Sequence, residues 1–136
     1  VLHFLEVRRI LEPAATAMAA TAMPEDEIAA LQDLLDKVEN DPSVDDLVAS
    51  DIEFHQRIAQ GAGNPVLCSL IDSLSGSTQR ARIWRGLTQT GAVDRTIAEH
   101  RAICDAIAAH QPDVARAWAT VHVAGVELWL RQALEN

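Results

Sequence analysis

Apolar side chains recur at intervals of three and four along almost the whole chain, the period of helices that each bury one face. Six such segments can be read. The first, about 1–22, carries Phe4, Val7, Leu11, Ala14 and Met18 on one stripe. Pro24 suits the first turn of a second helix. Glu25, Asp26 and Glu27 there complement the positive N-terminal end, and Ile28, Leu31, Leu35 and Val38 supply the apolar face. Asn40-Asp41-Pro42 reads as a turn, and Ser43 as the cap of a third helix that stops near Gly61 to Gly63. Asn64-Pro65 joins a capping side chain to a residue pre-set for the first helical position. The fourth helix runs from there through Leu67, Leu70, Ile71 and Leu74 towards Trp84, with a break over Gly86 to Gly91. A fifth covers about 92–109, and a sixth about 112–134, after His110-Gln111-Pro112. No alternating run is long enough for a strand. Short connections make consecutive helices antiparallel neighbours. The expected fold is all-α, an antiparallel bundle of about six helices forming one domain over 1–136.

Four polar residues interrupt these stripes. Asp51 falls between Leu47 and Phe54 in the stripe Val44, Leu47, Phe54, Ile58, and His55 follows four residues later on the same face. His100 sits within Val93, Ile97, His100, Cys104, Ile107, and His122 lies beside Val114, Trp118, Val121, Gly125, Leu128. A core-facing carboxylate costs free energy unless something pairs it. Taken singly, each has an ordinary reading: a core histidine that hydrogen-bonds, or a buried aspartate that pairs with an arginine or caps a helix. One carboxylate and three imidazoles on core faces of three helices is also the composition of a divalent metal site. Such donors suit Zn, Ni, Mn, Co or Fe(II). An octahedral ion would keep two positions for water or a bidentate small molecule. His3 and His110 fall outside the group, near the start of the chain and at a helix C-terminus that favours a polar or cationic residue.

Composition narrows the function. With 49% hydrophobic but only 4% aromatic residues, the chain suits closely packed helices. Its 11 Lys and Arg against 20 Asp and Glu give a net charge of −9, so no basic surface for nucleic acid is expected here. Any DNA contact would fall to another domain. Val1 already lies in a helical pattern, so the chain is expected to be a fragment of a longer protein. No apolar run approaches the roughly 20 residues that span a bilayer, and no signal peptide is visible. Cys68 and Cys104 read as buried free thiols, in keeping with a reducing cytoplasm.

A family resemblance rests on several motifs in order. They are Arg8-x-x-Leu11-Glu12 followed by the alanine-rich stretch 14–20; Asp51-x-x-Phe54-His55; Gly63-Asn64-Pro65-Val66-Leu67; Glu99-His100-Arg101-x-Ile103-x-x-Ala106-Ile107; and the region of Ala115 and Ala117 leading to His122. Together the chain resembles the FadR-type C-terminal effector-binding domain (FCD) of GntR-family transcription regulators. The resemblance implies a homodimeric helical bundle that senses a small molecule, expected to be a carboxylate, for an N-terminal winged helix-turn-helix domain. It implies a divalent metal, with Zn, Ni or Mn foremost, on Asp51, His55, His100 and His122, and an effector cavity faced by Arg8.

Other readings of these residues stand beside it. Arg8 also suits an ion pair with Glu12 one turn later. Arg80, Arg82 and Arg85 are either solvated or able to grip a carboxylate with two hydrogen bonds. Trp84, Trp118 and Trp129 suit a core or a subunit interface. The competing function is a metal-dependent helical-bundle enzyme acting on a small organic acid, since a metal with open positions can activate water. Against it, His-Glu-x-x-His is absent, and Glu53 and Glu99 fall off the core stripes, leaving no evident general base. A purely structural metal is a third reading.

Overall fold

A computed structural model describes residues 1–135. Among them the chain forms six helices and no strand: α1 (Leu2–Ala22), α2 (Glu25–Asp36), α3 (Val44–Gly61), α4 (Pro65–Thr88), α5 (Ala92–Ala108) and α6 (Pro112–Glu135). Local chemistry sets most boundaries. Ser43 Oγ accepts from the Asp46 N–H at 3.1 Å and starts α3. Asn64 Oδ1 accepts from the N–H groups of Val66 and Leu67 and starts α4 with Pro65 in its first turn. Two details differ from the sequence expectation. Pro24 is the N-cap of α2 rather than a helical residue. Helix α4 continues through Gly86 to Thr88, and the break runs from Gln89 to Gly91, whose φ is 77°. A glycine inside a helix costs only about 1 kcal/mol, so Gly86 does not end α4; the helix stops where Gln89 turns extended, with ψ 120°, ahead of the left-handed Gly91 that precedes α5.

Helices α1 and α6 run antiparallel, with Arg9 Nε donating to Glu127 Oε2 at 2.7 Å near one end and Ala19 and Ala20 meeting Ala115 and Ala119 towards the other. The main apolar cluster gathers Ile28, Leu31 and Leu35 of α2, Phe54 and Ile58 of α3, and Ile103 and Ile107 of α5 around those alanines. A second cluster joins Leu5, Ala81, Val126 and Leu130, and a third Ala15, Ala59, Ala62 and Ile71.

The inward faces of α1 and α6 are not the ones expected from the stripes of large residues. On α1, Phe4, Val7 and Met18 are exposed, and the buried face is Leu5, Arg8, Glu12, Ala15, Thr16 and Ala19. On α6, Val114, Trp118, Val121 and Leu128 are exposed, and Ala115, Ala119, His122, Val123, Val126 and Leu130 are buried. Periodicity gives the spacing of a face but not its direction when a helix carries two apolar stripes. Here the small-residue stripe wins, because alanine lets two helix axes approach closely. His122 therefore lies within the buried face, not beside it. Both cysteines are free thiols, Cys104 buried and Cys68 half-buried. No helix among the described residues is long and apolar enough to cross a membrane.

Candidate metal centre

Asp51 and His55 project from one face of α3, His100 from α5 and His122 from α6. One ligand atom from each lies within 4.8 Å of all the others. Phe54 stacks on the His100 ring at a centroid distance of 4.3 Å and fixes its plane. The His122 ring centroid is 4.8 Å from that of His100 and 5.3 Å from that of His55. All four residues singled out in the sequence thus meet at one point.

The donor atoms carry the chemical argument. His55 Nε2 lies 3.1 Å and His100 Nε2 3.2 Å from the same oxygen, Asp51 Oδ1. Yet both ring nitrogens are buried without a hydrogen-bond partner. Leaving a buried polar atom unsatisfied costs on the order of 1–3 kcal/mol. Two such nitrogens converging on one carboxylate oxygen form a donor set that a cation would satisfy, with nitrogen and oxygen ligands suited to first-row divalent ions.

A further ring of contacts surrounds these donors. Glu12 Oε1 is 3.1 Å from His55 Nδ1, and its other oxygen accepts from Arg8 Nε. Glu99 Oε1 is 2.9 Å from His122 Nδ1. Arg82 Nη1 donates to Asp51 Oδ2 at 2.5 Å, and its Nη2 donates to the Ser75 carbonyl at 3.2 Å. Sequence reasoning missed Glu12 and Glu99 as parts of the site. The available signal for Glu12 was its four-residue spacing from Arg8 on the alanine-lined face of α1, which the larger stripe obscured.

Charge is distributed accordingly. Burial would raise the Asp51 carboxyl, but Arg82 and His55 outweigh it and hold it well below its ordinary value. Burial acts on Glu12 in the same direction and is outweighed by Arg8 and His55, so this carboxyl too is lowered. Burial pushes His100 down to about 4 and also lowers His122, keeping both imidazoles neutral. His55 is the exception: burial disfavours its charged form, yet Asp51 and Glu12 on either side raise it.

The arginines flank two openings. Arg8 is buried, pairs with Glu12 as one reading anticipated, and lies 3.5 Å from Thr78 Oγ1. It also lines a narrow cavity with Glu12, His55, Ser75 and Arg82. On the other side, Asp51, His122, Arg82 and Arg85 line a mostly apolar cleft of about 480 Å³, including its open mouth, walled by residues such as Leu47 and Val126. Arg85 is buried there and donates to Gln89 Oε1 at 2.6 Å. Arg80 is exposed. Trp84 and Trp118 are exposed, and Trp84 meets Trp129 edge-on at 5.0 Å.

The helical bundle and the order of its motifs match known proteins. The family profile of the FCD domain matches residues 3–125, and the chain belongs to this family, the C-terminal domain of GntR-type transcription regulators. It is 32% identical over 123 residues to the galactonate operon transcriptional repressor of Escherichia coli K12, an alignment covering 88% of this chain and 52% of that protein. It is 30% identical over 135 residues to the HTH-type transcriptional regulator LutR of Bacillus subtilis 168, covering 93% of this chain and 60% of that protein. The chain therefore spans a little over half the length of these relatives. Among solved structures, Streptococcus agalactiae GntR superposes with a TM-score of 0.76 at 23% identity, over 93% of this chain and 57% of that one. E. coli McbR/YncC superposes with a TM-score of 0.82 at 18% identity, over 97% and 64%. At these identities the two structures establish the shared fold.

Proposed function

We propose that this domain is the effector sensor of a homodimeric, cytoplasmic GntR-type regulator. In this reading Asp51, His55, His100 and His122 hold a divalent cation, with Zn, Ni or Mn the expected ions. A small carboxylate binds at that cation and alters DNA binding by an N-terminal winged helix-turn-helix domain outside this chain. The observation that carries the reading is the pair of buried, unpartnered Nε2 atoms of His55 and His100 aimed at Asp51 Oδ1.

The cation would supply Lewis acidity towards anionic oxygens. The chain's own residues do the rest. The two neutral imidazoles of His100 and His122 add no charge, and the carboxylates of Asp51, Glu12 and Glu99 are matched by the guanidiniums of Arg8, Arg82 and Arg85. A divalent cation leaves the site net positive, which favours an anionic carboxylate. Arg8 is the proposed second anchor for the effector, through the cavity it shares with His55 and Arg82. The mostly apolar cleft walled by Leu47 and Val126 suits the carbon skeleton of a small organic acid. An enzymatic reading is weaker here because the carboxylates around the site are engaged, Glu12 by Arg8 and His55, Glu99 by His122, Asp51 by Arg82, leaving none of the three as a free general base.

Calorimetry with a panel of small mono- and hydroxycarboxylates, on metal-loaded and chelator-stripped protein, tests this. Saturable binding of an acid to the loaded form, without turnover, is expected. Equal affinity with and without metal refutes the coupling of effector to cation, and turnover of the acid moves the assignment to the enzyme class.

A further inference from the structure

Two glutamates outside the ligand set touch it from opposite sides. Glu12 on α1 meets His55 on α3, and Glu99 on α5 meets His122 on α6, each carboxylate facing the Nδ1 side of the ring at 3.1 and 2.9 Å. An ionised carboxylate only accepts hydrogen bonds, so the nitrogen facing it must carry the proton. That fixes each neutral ring as the Nδ1–H tautomer and leaves the Nε2 lone pair for the interior. At His55 the interior nitrogen is the buried, unpartnered Nε2 beside Asp51. We propose that Glu12 and Glu99 are positioning residues that hold His55 and His122 in the Nδ1–H tautomer, so that both rings bind the cation through Nε2. The proposal rests on the metal assignment above.

The two glutamates are held differently. Glu12 is buried and also gripped by Arg8, so its carboxylate cannot swing away from His55. Glu99 immediately precedes His100 on α5, so one helix delivers a ligand of its own and orients the ligand of the next. Helix α1 donates no ligand, yet through Glu12 it is tied to the site.

Carboxylate partners of metal-bound histidines fix ring orientation and raise ligand basicity, and losing one commonly costs 10- to 100-fold in metal affinity. The Glu99 arm is the cleaner one because Glu99 has no second hydrogen-bonded partner of the kind Glu12 has in Arg8; buried Arg85 acts on it through charge alone. Zinc affinity, measured by competition with a chromogenic chelator, is expected to fall about 10- to 100-fold in Glu99→Ala and less in Glu99→Gln, which keeps an acceptor oxygen but not the charge. For Glu12, the pair Arg8→Met with Glu12→Leu avoids stranding a buried guanidinium, and a similar loss is expected. Long-range proton–nitrogen NMR of the zinc-loaded wild-type protein needs no variant. It should find the proton on Nδ1 and zinc on Nε2 in both His55 and His122. Wild-type zinc affinity in both Glu99 variants, or zinc on Nδ1 of either ring, overturns the positioning role and leaves the metal site standing. A wild-type protein that binds no zinc, nickel or manganese overturns both.

Discussion

Arg82 grips Asp51 from the side away from the histidines: Nη1 donates to Oδ2 at 2.5 Å, while Oδ1 lies 3.1 and 3.2 Å from the two ring nitrogens. One oxygen of the carboxylate is thus committed to a guanidinium on α4, and the other is turned to the proposed cation. The division keeps Asp51 ionised although it is buried, as its lowered carboxyl reflects.

Arg82→Met should consequently destabilise the metal-free protein by about 3 kcal/mol, since breaking a buried ion pair strands the remaining charge. A cation on Oδ1 would supply much of the lost compensation, so the penalty should shrink in the metal-loaded protein. Urea denaturation of wild type and variant, with and without metal, measures both. An equal penalty in the two forms would mean that metal and Arg82 do not share Asp51.

The metal-free protein should lose stability as pH falls from about 6.5 towards 4. His100, lowered to about 4, and His122, also lowered, stay neutral in the fold while the unfolded chain takes up protons near 6.5. For His100 alone the shift corresponds to roughly 3 kcal/mol at most. His55 acts in the opposite sense and in a different window: raised in the fold, its contribution is full below 6.5 and disappears as pH rises through its folded value, so it leaves the loss between 6.5 and 4 unchanged. Below about 4 the lowered carboxyls of Asp51 and Glu12 add to the decline. Urea midpoints at pH 7, 5.5 and 4.5 follow the trend. A midpoint unchanged down to pH 4.5 would mean that the buried imidazoles titrate normally.

Mutations should separate cation from effector. His122→Ala removes a proposed ligand and should weaken metal and carboxylate binding together. Arg8→Ala should weaken the carboxylate more than the metal, which keeps its four ligands, at some cost in stability because Glu12 loses its partner. Parallel titrations with metal and with the best acid of the panel read the two effects. Metal and carboxylate affinity falling by the same factor in Arg8→Ala would mean that Arg8 acts only through Glu12 and His55 and is no anchor for the effector.

Metal and effector affinity should also fall together between pH 7.5 and 5.5, because imidazole binds metal only when neutral and His55, raised between Asp51 and Glu12, takes up a proton while His100 and His122 stay neutral. Isothermal titrations at pH 7.5 and 5.5 test this. An affinity for the metal that holds constant over that range would mean that protons and metal do not compete for the histidines.

The ligand residues were legible because α3 and α5 each carry one dominant apolar stripe, so Asp51 and His100 stand out as polar insertions in it. On α1 and α6 the larger apolar stripes, Phe4–Val7–Met18 and Val114–Trp118–Val121–Leu128, face outward, and close packing through Ala19, Ala20, Ala115 and Ala119 decides the inner face. Glu12 was hidden for that reason: it belongs to the face that lacks large side chains. Arg82 and Glu99 were visible only as members of a basic cluster and as a neighbour of His100. Their roles depend on how α4 and α6 approach α3 and α5, which no local spacing records. The caps at Ser43 and Asn64 were legible because a side chain there bonds its own helix within three residues.

The central claim is that Asp51, His55, His100 and His122 hold a cation. Elemental analysis of protein purified without chelator or metal-affinity resin, then repeated after incubation with zinc, nickel or manganese and gel filtration, tests it most directly. The account predicts close to one divalent ion per chain in the wild type and its loss in His100→Ala. A folded wild-type protein that carries none of these ions and takes up none would contradict it.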